Sequence, residues 1–289
     1  MKTKLSIGIW LAFLSAFLWS TGGIGIKVIS LDGIYVAGFR ALIASLTLLP
    51  FFRFKKVKWN RTLIIFLLSF TWMCTSFVVS TKLTTAANAI ALQYTSVFWV
   101  FFIDELPREK KISRKKIPPL ILVLIGIFFY LIEPNTGTNV LGNFLALTSG
   151  IAFGIVAITL RRLAIPDGRS IICLANIVNF IVLFSFMKFQ LPVFKNFYFD
   201  LVILVFLGSF QIAVAYVVFN KALNSISALT GSFVALLEPV LNPIWVYIFL
   251  KEVPTIYGII GWTCLMTSVV LYLLSLNSGK SDVDRSPLK

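Results

Sequence analysis

One acidic residue, Glu238, stands in the middle of a long apolar run, where a carboxyl group could take up and release a proton. A charged carboxyl at the centre of a membrane costs about 2.5 to 3.5 kcal/mol to insert, so it needs a compensating environment. One interpretation is a protonatable or cation-binding group that faces a wet cavity and changes charge during a transport cycle. The other is a structural carboxyl that forms hydrogen bonds beside a proline kink at Pro239. The sequence leaves both interpretations open.

The same apolar run contains a second proline, Pro243, and an amide side chain, Asn242, between the two prolines. A proline has no backbone N–H, so Pro239 and Pro243 are expected to interrupt the helix. Asn242 could bond to carbonyls that the prolines free, or to a ligand. Because substrate sites tend to lie at broken helices near the membrane midplane, this run is a candidate binding segment. An ordinary kink that shapes packing is the alternative.

Further polar and aromatic side chains lie at a similar predicted depth on four other apolar runs. They are Trp19, Ser20, Trp72, Thr75, Gln93, Tyr94, Gln211 and Tyr216. Tyr and Trp combine a large apolar surface with one polar group, so they could hold an organic solute. Any one of them is typical of helix packing, but the set favours a solute pathway. Gln93 and Gln211 are the strongest candidates, because an amide that faced lipid would lack hydrogen-bond partners.

Arg40 is predicted in the outer part of the second apolar run, where its long side chain could reach the membrane interface. We favour this interpretation over a clamp for a substrate carboxylate. Gly150 and Gly154 have the GxxxG spacing that lets two helices approach closely. The cysteines all lie in apolar runs and predict no metal site.

Ten long apolar runs account for most of the chain. Of its 289 residues, 58% are hydrophobic and 13% charged, whereas soluble domains have about 25% charged residues. The predicted spans are residues 7–29, 34–52, 62–81, 84–103, 117–132, 140–160, 170–190, 200–221, 226–249 and 254–276. Short alternating segments typical of a membrane barrel are absent from the sequence. These runs predict an all-α integral membrane protein with ten transmembrane helices. The first is expected to be a helix rather than a cleaved signal peptide.

Basic residues fall mainly in alternate loops. Of the 26 Lys and Arg, 20 lie at the termini and in every second loop, and five lie on the other side. This distribution predicts that both termini are cytoplasmic, in the plasma membrane, which in a bacterium is the inner membrane. It also accounts for the net charge of +15 through contact with membrane lipids, so no nucleic-acid partner is expected.

The chain contains an internal repeat. Residues 89–107, AIALQYTSVFWVFFIDELP, resemble residues 232–254, SFVALLEPVLNPIWVYIFLKEVP, with Trp99 opposite Trp245. Each stretch is the fourth span of a five-span half, and an odd number of spans per half gives the halves opposite orientation. We therefore predict a first repeat over residues 1–135, a second over residues 136–277, and a polar cytoplasmic tail over residues 278–289.

Residues 211–275 and, more loosely, the first half resemble the EamA-type transporters of the drug/metabolite transporter superfamily. The Glu-Pro pair at Glu238 and Pro239, Pro243, and the Glu-x-Pro of residues 252–254 carry the resemblance. The first repeat departs from the family pattern, with Val97 where proline is common. The resemblance implies two inverted five-helix repeats around a central cavity. It also implies export or exchange of amino acids or related small metabolites by alternating access.

The sequence argues against other functions. It has no histidine, no paired-carboxylate cluster for Mg²⁺, and no nucleotide-binding loop, so an enzyme and an ATP-driven pump are both disfavoured. An integral membrane enzyme or a lipid-handling component without transport activity is the alternative. We expect no cofactor and no metal, a small-molecule solute as the partner, a proton as the coupling ion through Glu238, and a monomer or homodimer.

Overall fold

A computed structural model describes residues 2–53, 57–109, 113–132, 139–188, 190–251 and 255–277. Over these residues every regular element is a helix. The predicted domain boundary at residues 135 and 136, the Glu-x-Pro of residues 252–254 and the polar tail at residues 278–289 lie outside them.

The described residues form ten membrane-length or near-membrane-length helices in the predicted order. They are α1 (Lys4–Val28), α2 (Gly33–Phe51), α3 (Arg61–Leu83), α4 (Ala86–Glu109), α5 (Ile117–Leu131), α6 (Val140–Leu163), α7 (Arg169–Phe186), α8 (Phe197–Leu223), α9 (Ala228–Phe249) and α10 (Ile256–Leu276). Nine of the described helices are long and apolar enough to cross a membrane. The exception is α5, whose 15 residues rise about 22 Å. The all-helical prediction is confirmed.

Side-chain caps fix where several helices begin. Asn60 accepts a hydrogen bond from the third amide of α3, and Asn139 does the same for α6. The fourth helix of each half also begins at a hydroxyl cap, Thr85 for α4 and Ser227 for α9. Such caps satisfy backbone N–H groups that have no partner within the helix.

The helix contacts follow the inverted repeat. In the inverted repeat, each helix of α1–α5 corresponds to the helix five places later. Helix α3 packs on α6, and its counterpart α8 packs on α1 in the same way. Likewise, α4 packs on α6 and its counterpart α9 packs on α1. Two further contacts join equivalent helices of the two halves: α2 packs on α7, and α5 packs on α10. The two halves are therefore interlocked, and the surfaces where they meet run through the centre of the bundle.

The outer surface is apolar on every helix. Large apolar side chains are exposed on each of them, at Trp10, Leu46, Leu68, Phe102, Phe128, Phe144, Ile181, Val202, Phe249 and Leu274. A soluble monomer seldom exposes so continuous an apolar surface, whereas a lipid-facing bundle requires one. A polar group at midplane therefore needs a hydrogen-bond partner inside the bundle or on a neighbouring helix.

Candidate functional site

The fourth helix of each half is interrupted near the centre of the bundle, and α1 is also interrupted, at Thr21. Helix α4 is α-helical over Ala86–Gln93 and resumes at Ser96. Helix α9 is α-helical over Ala228–Ala235 and resumes at Leu237. Both are fourth helices of their repeat, and side chains of the two interruptions are in contact across the interface of the two halves. Interrupted helices leave backbone polar groups available inside a membrane protein, where they need partners.

The interruption in α9 comes before the prolines. Pro239 has no N–H to offer the carbonyl of Ala235, four residues earlier, and the chain turns at Leu236 between them. The predicted interruption at Pro239 therefore appears as a turn at Leu236, three residues before the proline. Pro243 lies inside the continuous helix Leu237–Leu250.

Neighbouring helices satisfy the carbonyls around the prolines. Pro243 cannot donate to the carbonyl of Pro239, and the hydroxyl of Tyr130 on α5 donates to that oxygen instead, at 3.2 Å. The indole Nε1 of Trp262 on α10 donates to the carbonyl of Val240 at 2.7 Å. Helices α5 and α10 therefore hold the distorted part of α9 in place.

Replacing Tyr130 with phenylalanine is expected to destabilise the fold by about 1 kcal/mol, because the Pro239 carbonyl would lose a buried donor. Thermal unfolding of the purified protein in detergent measures the effect. Tyr198→Phe is the matched control, since Tyr198 is 81% exposed. Equal unfolding temperatures for the two variants would contradict the role assigned to Tyr130.

A hydrogen bond links the two interruptions. The hydroxyl of Tyr94, in the turn of α4, donates to Oε2 of Glu238, in the first turn of the restarted α9, at 2.6 Å. Both side chains are buried. Because Tyr94 belongs to the first half and Glu238 to the second, this contact joins the halves at the centre of the bundle. A phenol can donate to a carboxylate and to the carbonyl oxygen of a protonated carboxyl, so Glu238 has a partner in both charge states.

Glu238 lines a small cavity that is surrounded by helices of both halves. The cavity volume is about 20 Å³, enough for about one water molecule. The other lining residues are Trp19, Arg40, Met73, Cys74, Phe77, Gln93, Phe153, Gln211, Ile212 and Tyr216. A solute larger than water therefore fits only after the surrounding helices move apart.

Arg40 belongs to this cavity, which corrects the prediction that it reaches the membrane interface. Its side chain is only 3% exposed, and its Nη2 donates to Oε1 of Gln211. The reason is local geometry: helix α2 packs on the segment of α8 that contains Gln211, and Gly208 lets the two helices approach closely. An alanine Cβ at Gly208 would lie 2.9 Å from the carbonyl oxygen of Arg40.

Gln211 lies within a π-helical segment, Leu207–Val214, in the middle of α8. Such segments insert an extra residue into a helix and change the direction of nearby side chains, and they are frequent at functional sites.

Gln93 has a different partner: its Nε2 donates to Oγ of Ser149 on α6 at 2.9 Å. Both glutamines predicted from the sequence therefore line the cavity with their amides engaged.

Five of the predicted site residues line the cavity. These are Trp19, Gln93, Gln211, Tyr216 and Glu238. Around Trp19, the rings of Tyr216 and Phe153 lie with centroids 4.9 and 5.6 Å away. The hydroxyl of Tyr216 points at Sδ of Met73, at 3.5 Å. The cavity wall therefore combines four aromatic side chains with the polar or charged side chains of Arg40, Gln93, Gln211 and Glu238.

Other predicted residues lie elsewhere. The prediction that Trp72 lines the cavity is wrong. Trp72 is 49% exposed, because it lies on the face of α3 that points away from the bundle. Thr75 donates to Oδ1 of Asn179 on α7, at 3.2 Å, and packs between helices. Ser20 accepts a hydrogen bond from Nε1 of Trp245 at 2.8 Å. Asn242 is buried against α1.

Sequence reasoning missed several lining residues. Met73, Cys74, Phe77, Phe153 and Ile212 have no feature that distinguishes them from apolar packing residues in neighbouring turns. For Arg40, the sequence did contain an indication of a role in the cavity. A cation inside an apolar run is costly and is often retained for function.

Contacts close the bundle at both ends. At one end, Oδ1 of Asp104 on α4 lies 3.0 Å from Nη2 of Arg162 on α6 and 2.9 Å from Nη2 of Arg108. At the opposite end, Asp200 on α8 accepts hydrogen bonds from the backbone N–H and the hydroxyl of Ser30. Each carboxylate thereby bridges the two halves, one on either side of the cavity.

Comparison with known proteins agrees with this architecture. The model of the EamA-like transporter family matches residues 6–132 and 140–274. A search of curated proteins finds no match. One solved crystal structure superposes with a TM-score of 0.77 at 14% identity, covering 96% of this chain and 99% of its own, and a likeness at that identity shows the fold alone. Because the family match extends over nearly all of the sequence, the chain belongs to the EamA-like transporter family.

Proposed function

We propose that this protein is a secondary transporter that moves amino acids or related small metabolites across the membrane by alternating access. The observation that carries the proposal is the central cavity, lined by aromatic and polar side chains of both inverted halves and placed beside the interruptions of α4 and α9. Transporters built from inverted repeats bind their substrates in this position.

The contacts at the two ends of the bundle provide the basis for alternation. The Asp104–Arg162 ion pair and the Asp200–Ser30 hydrogen bonds both join the first half to the second, on opposite sides of the cavity. Rocking of one half against the other would break one set while the other stays intact. The described conformation has both sets formed, so it corresponds to an occluded intermediate in the proposed cycle.

Glu238 is the proposed coupling residue. It is buried, lines the cavity and accepts its hydrogen bond from the opposite half. A carboxyl group in this position is expected to be neutral while the site is closed off from water, and to exchange its proton when the cavity opens. Proton movement would then be linked to solute movement.

The proposed orientation has both termini in the cytoplasm of a plasma membrane, in a bacterium the inner membrane, because the basic loops carry 20 of 26 Lys and Arg. One chain contributes both halves of the cavity, so a monomer is a sufficient transport unit and a homodimer would add no group to the site. The proposed direction is export or exchange.

Counterflow in proteoliposomes tests the proposal. Vesicles containing the purified protein are loaded with one unlabelled amino acid or related metabolite at high concentration, and uptake of the same labelled solute from outside is followed. A transporter that alternates access is expected to show transient, saturable accumulation of at least one solute. Uptake indistinguishable from protein-free vesicles across the whole panel would contradict the proposal.

A further inference from the structure

We propose that Arg40 is the binding group for a carboxylate on the transported solute, so that the protein carries amino acids or other carboxylic acids. This inference rests on the proposed transport function and names the chemical class of its substrate. The combination of charge, burial and unused hydrogen-bond donors at Arg40 carries it.

The guanidinium of Arg40 is incompletely paired. Only Nη2 has a partner among the described residues, Oε1 of Gln211, whereas the buried Nε and Nη1 have none. A buried cation with free N–H donors is strongly unfavourable unless an acceptor, an anion or water reaches it. Gln211 supplies one acceptor atom but no negative charge, and Glu238, which lines the same cavity, has its hydrogen bond with Tyr94 and none with the guanidinium among the described contacts.

A carboxylate supplies what is missing. It has two acceptor oxygens and a negative charge, and arginine binds such groups through short, charge-assisted hydrogen bonds. Nε1 of Trp19, which lines the same cavity, is also buried without a partner and could donate to the same group. Glu238 lines the same cavity, and because we propose that it is neutral while the site is closed, it would not repel a carboxylate held by Arg40 and Trp19.

Two cavities border Arg40, and the central one is better suited to bind a solute. A second cavity of about 10 Å³ also borders Arg40, next to Asn176 and Asn179. Its volume is at the lower limit for a single water molecule, and no aromatic side chain of the described residues lines it. The central cavity is larger and is enclosed by Trp19 and Tyr216, whose rings could pack against the apolar part of an amino acid.

Binding by acids and by their amides tests the inference directly. Leucine, phenylalanine, glutamate and short monocarboxylic acids are compared with the corresponding amides, using thermal stabilisation of the purified protein in detergent and competition in the counterflow assay. At least one acid is expected to bind wild type about tenfold more tightly than its amide, because the amide lacks the charge. Arg40→Gln should abolish that difference, and Arg40→Lys should retain part of it. Lys195→Gln, at an exposed position, should leave it unchanged.

The comparison of acids with amides in the wild-type protein tests the inference even if an Arg40 variant fails to fold. If no acid in the panel binds more tightly than its amide, or if amines lacking a carboxyl bind best, the inference is overturned even though transport itself stands. Loss of all counterflow would count against the transport function instead, while the stabilisation measurements would still decide whether a carboxylate is recognised.

Discussion

Glu238→Gln is expected to abolish accumulation driven by a pH gradient while preserving exchange of the same solute across proteoliposomes. Glutamine has nearly the same shape and can still accept the hydrogen bond from Tyr94, but it cannot bind or release a proton in the relevant range. The cavity and the contact between α4 and α9 should therefore persist. Uptake under an imposed gradient should fall to the level of vesicles with equal pH on both sides.

The control is an acidic residue away from the cavity. Asp32 is exposed at the start of α2, where its side chain makes no capping hydrogen bond, so Asp32→Asn should leave both exchange and gradient-driven uptake unchanged. Gradient-driven uptake by Glu238→Gln at the wild-type rate would show that Glu238 has a structural role and that coupling lies elsewhere. Loss of exchange together with coupling would place Glu238 in solute binding rather than in coupling alone.

Gly150→Ala is expected to destabilise the protein strongly, by about 1 to 3 kcal/mol or more. An alanine Cβ at this position would lie 2.5 Å from Oγ1 of Thr95 and 2.8 Å from the carbonyl oxygens of Gln93 and Leu92. These carbonyls belong to the interrupted turn of α4, so they cannot move away without displacing the segment that carries Tyr94. A lower thermal unfolding temperature in detergent is the expected measurement.

Gly154→Ala, one helical turn further along α6, is the matched comparison. Its Cβ would meet Cβ of Trp99 at 3.0 Å and the carbonyl oxygen of Ser96 at 3.2 Å, which is a milder conflict. Gly154→Ala should therefore unfold at a temperature between those of wild type and Gly150→Ala. The reverse order would contradict the assigned packing of α6 against α4.

The fold could be predicted from the sequence because a membrane imposes one rule on every span. Backbone hydrogen bonds must be satisfied within helices, so long apolar runs predict the nine described membrane-length helices and the short α5 with its initial Pro118 and Pro119. The interruption in α9 was predicted because prolines remove donors. That the helix continues through Pro243 could not be predicted, because the donors that satisfy the nearby carbonyls, Tyr130 and Trp262, are distant in sequence.

The site could be predicted only in part, because hydropathy reports depth in the membrane but not the direction of a side chain. Trp19 and Trp72 were predicted at the same depth, yet one lines the cavity and the other is exposed on the outer surface. The sequence predicts Arg40 at the interface because a long side chain can reach it. The close packing of α2 on α8 at Gly208, which buries Arg40 beside Gln211, depends on tertiary structure that no local pattern reveals.

The two tryptophans therefore offer the most direct test that the central cavity is the solute pathway. Counterflow would be measured for wild type, Trp19→Phe and Trp72→Phe, each at a range of solute concentrations. Trp19→Phe, which removes a cavity N–H but keeps an aromatic ring, is expected to raise the half-saturating concentration about fivefold or more, whereas Trp72→Phe should match wild type. Unchanged counterflow in Trp19→Phe, or an equal change in Trp72→Phe, would contradict a solute pathway through this cavity.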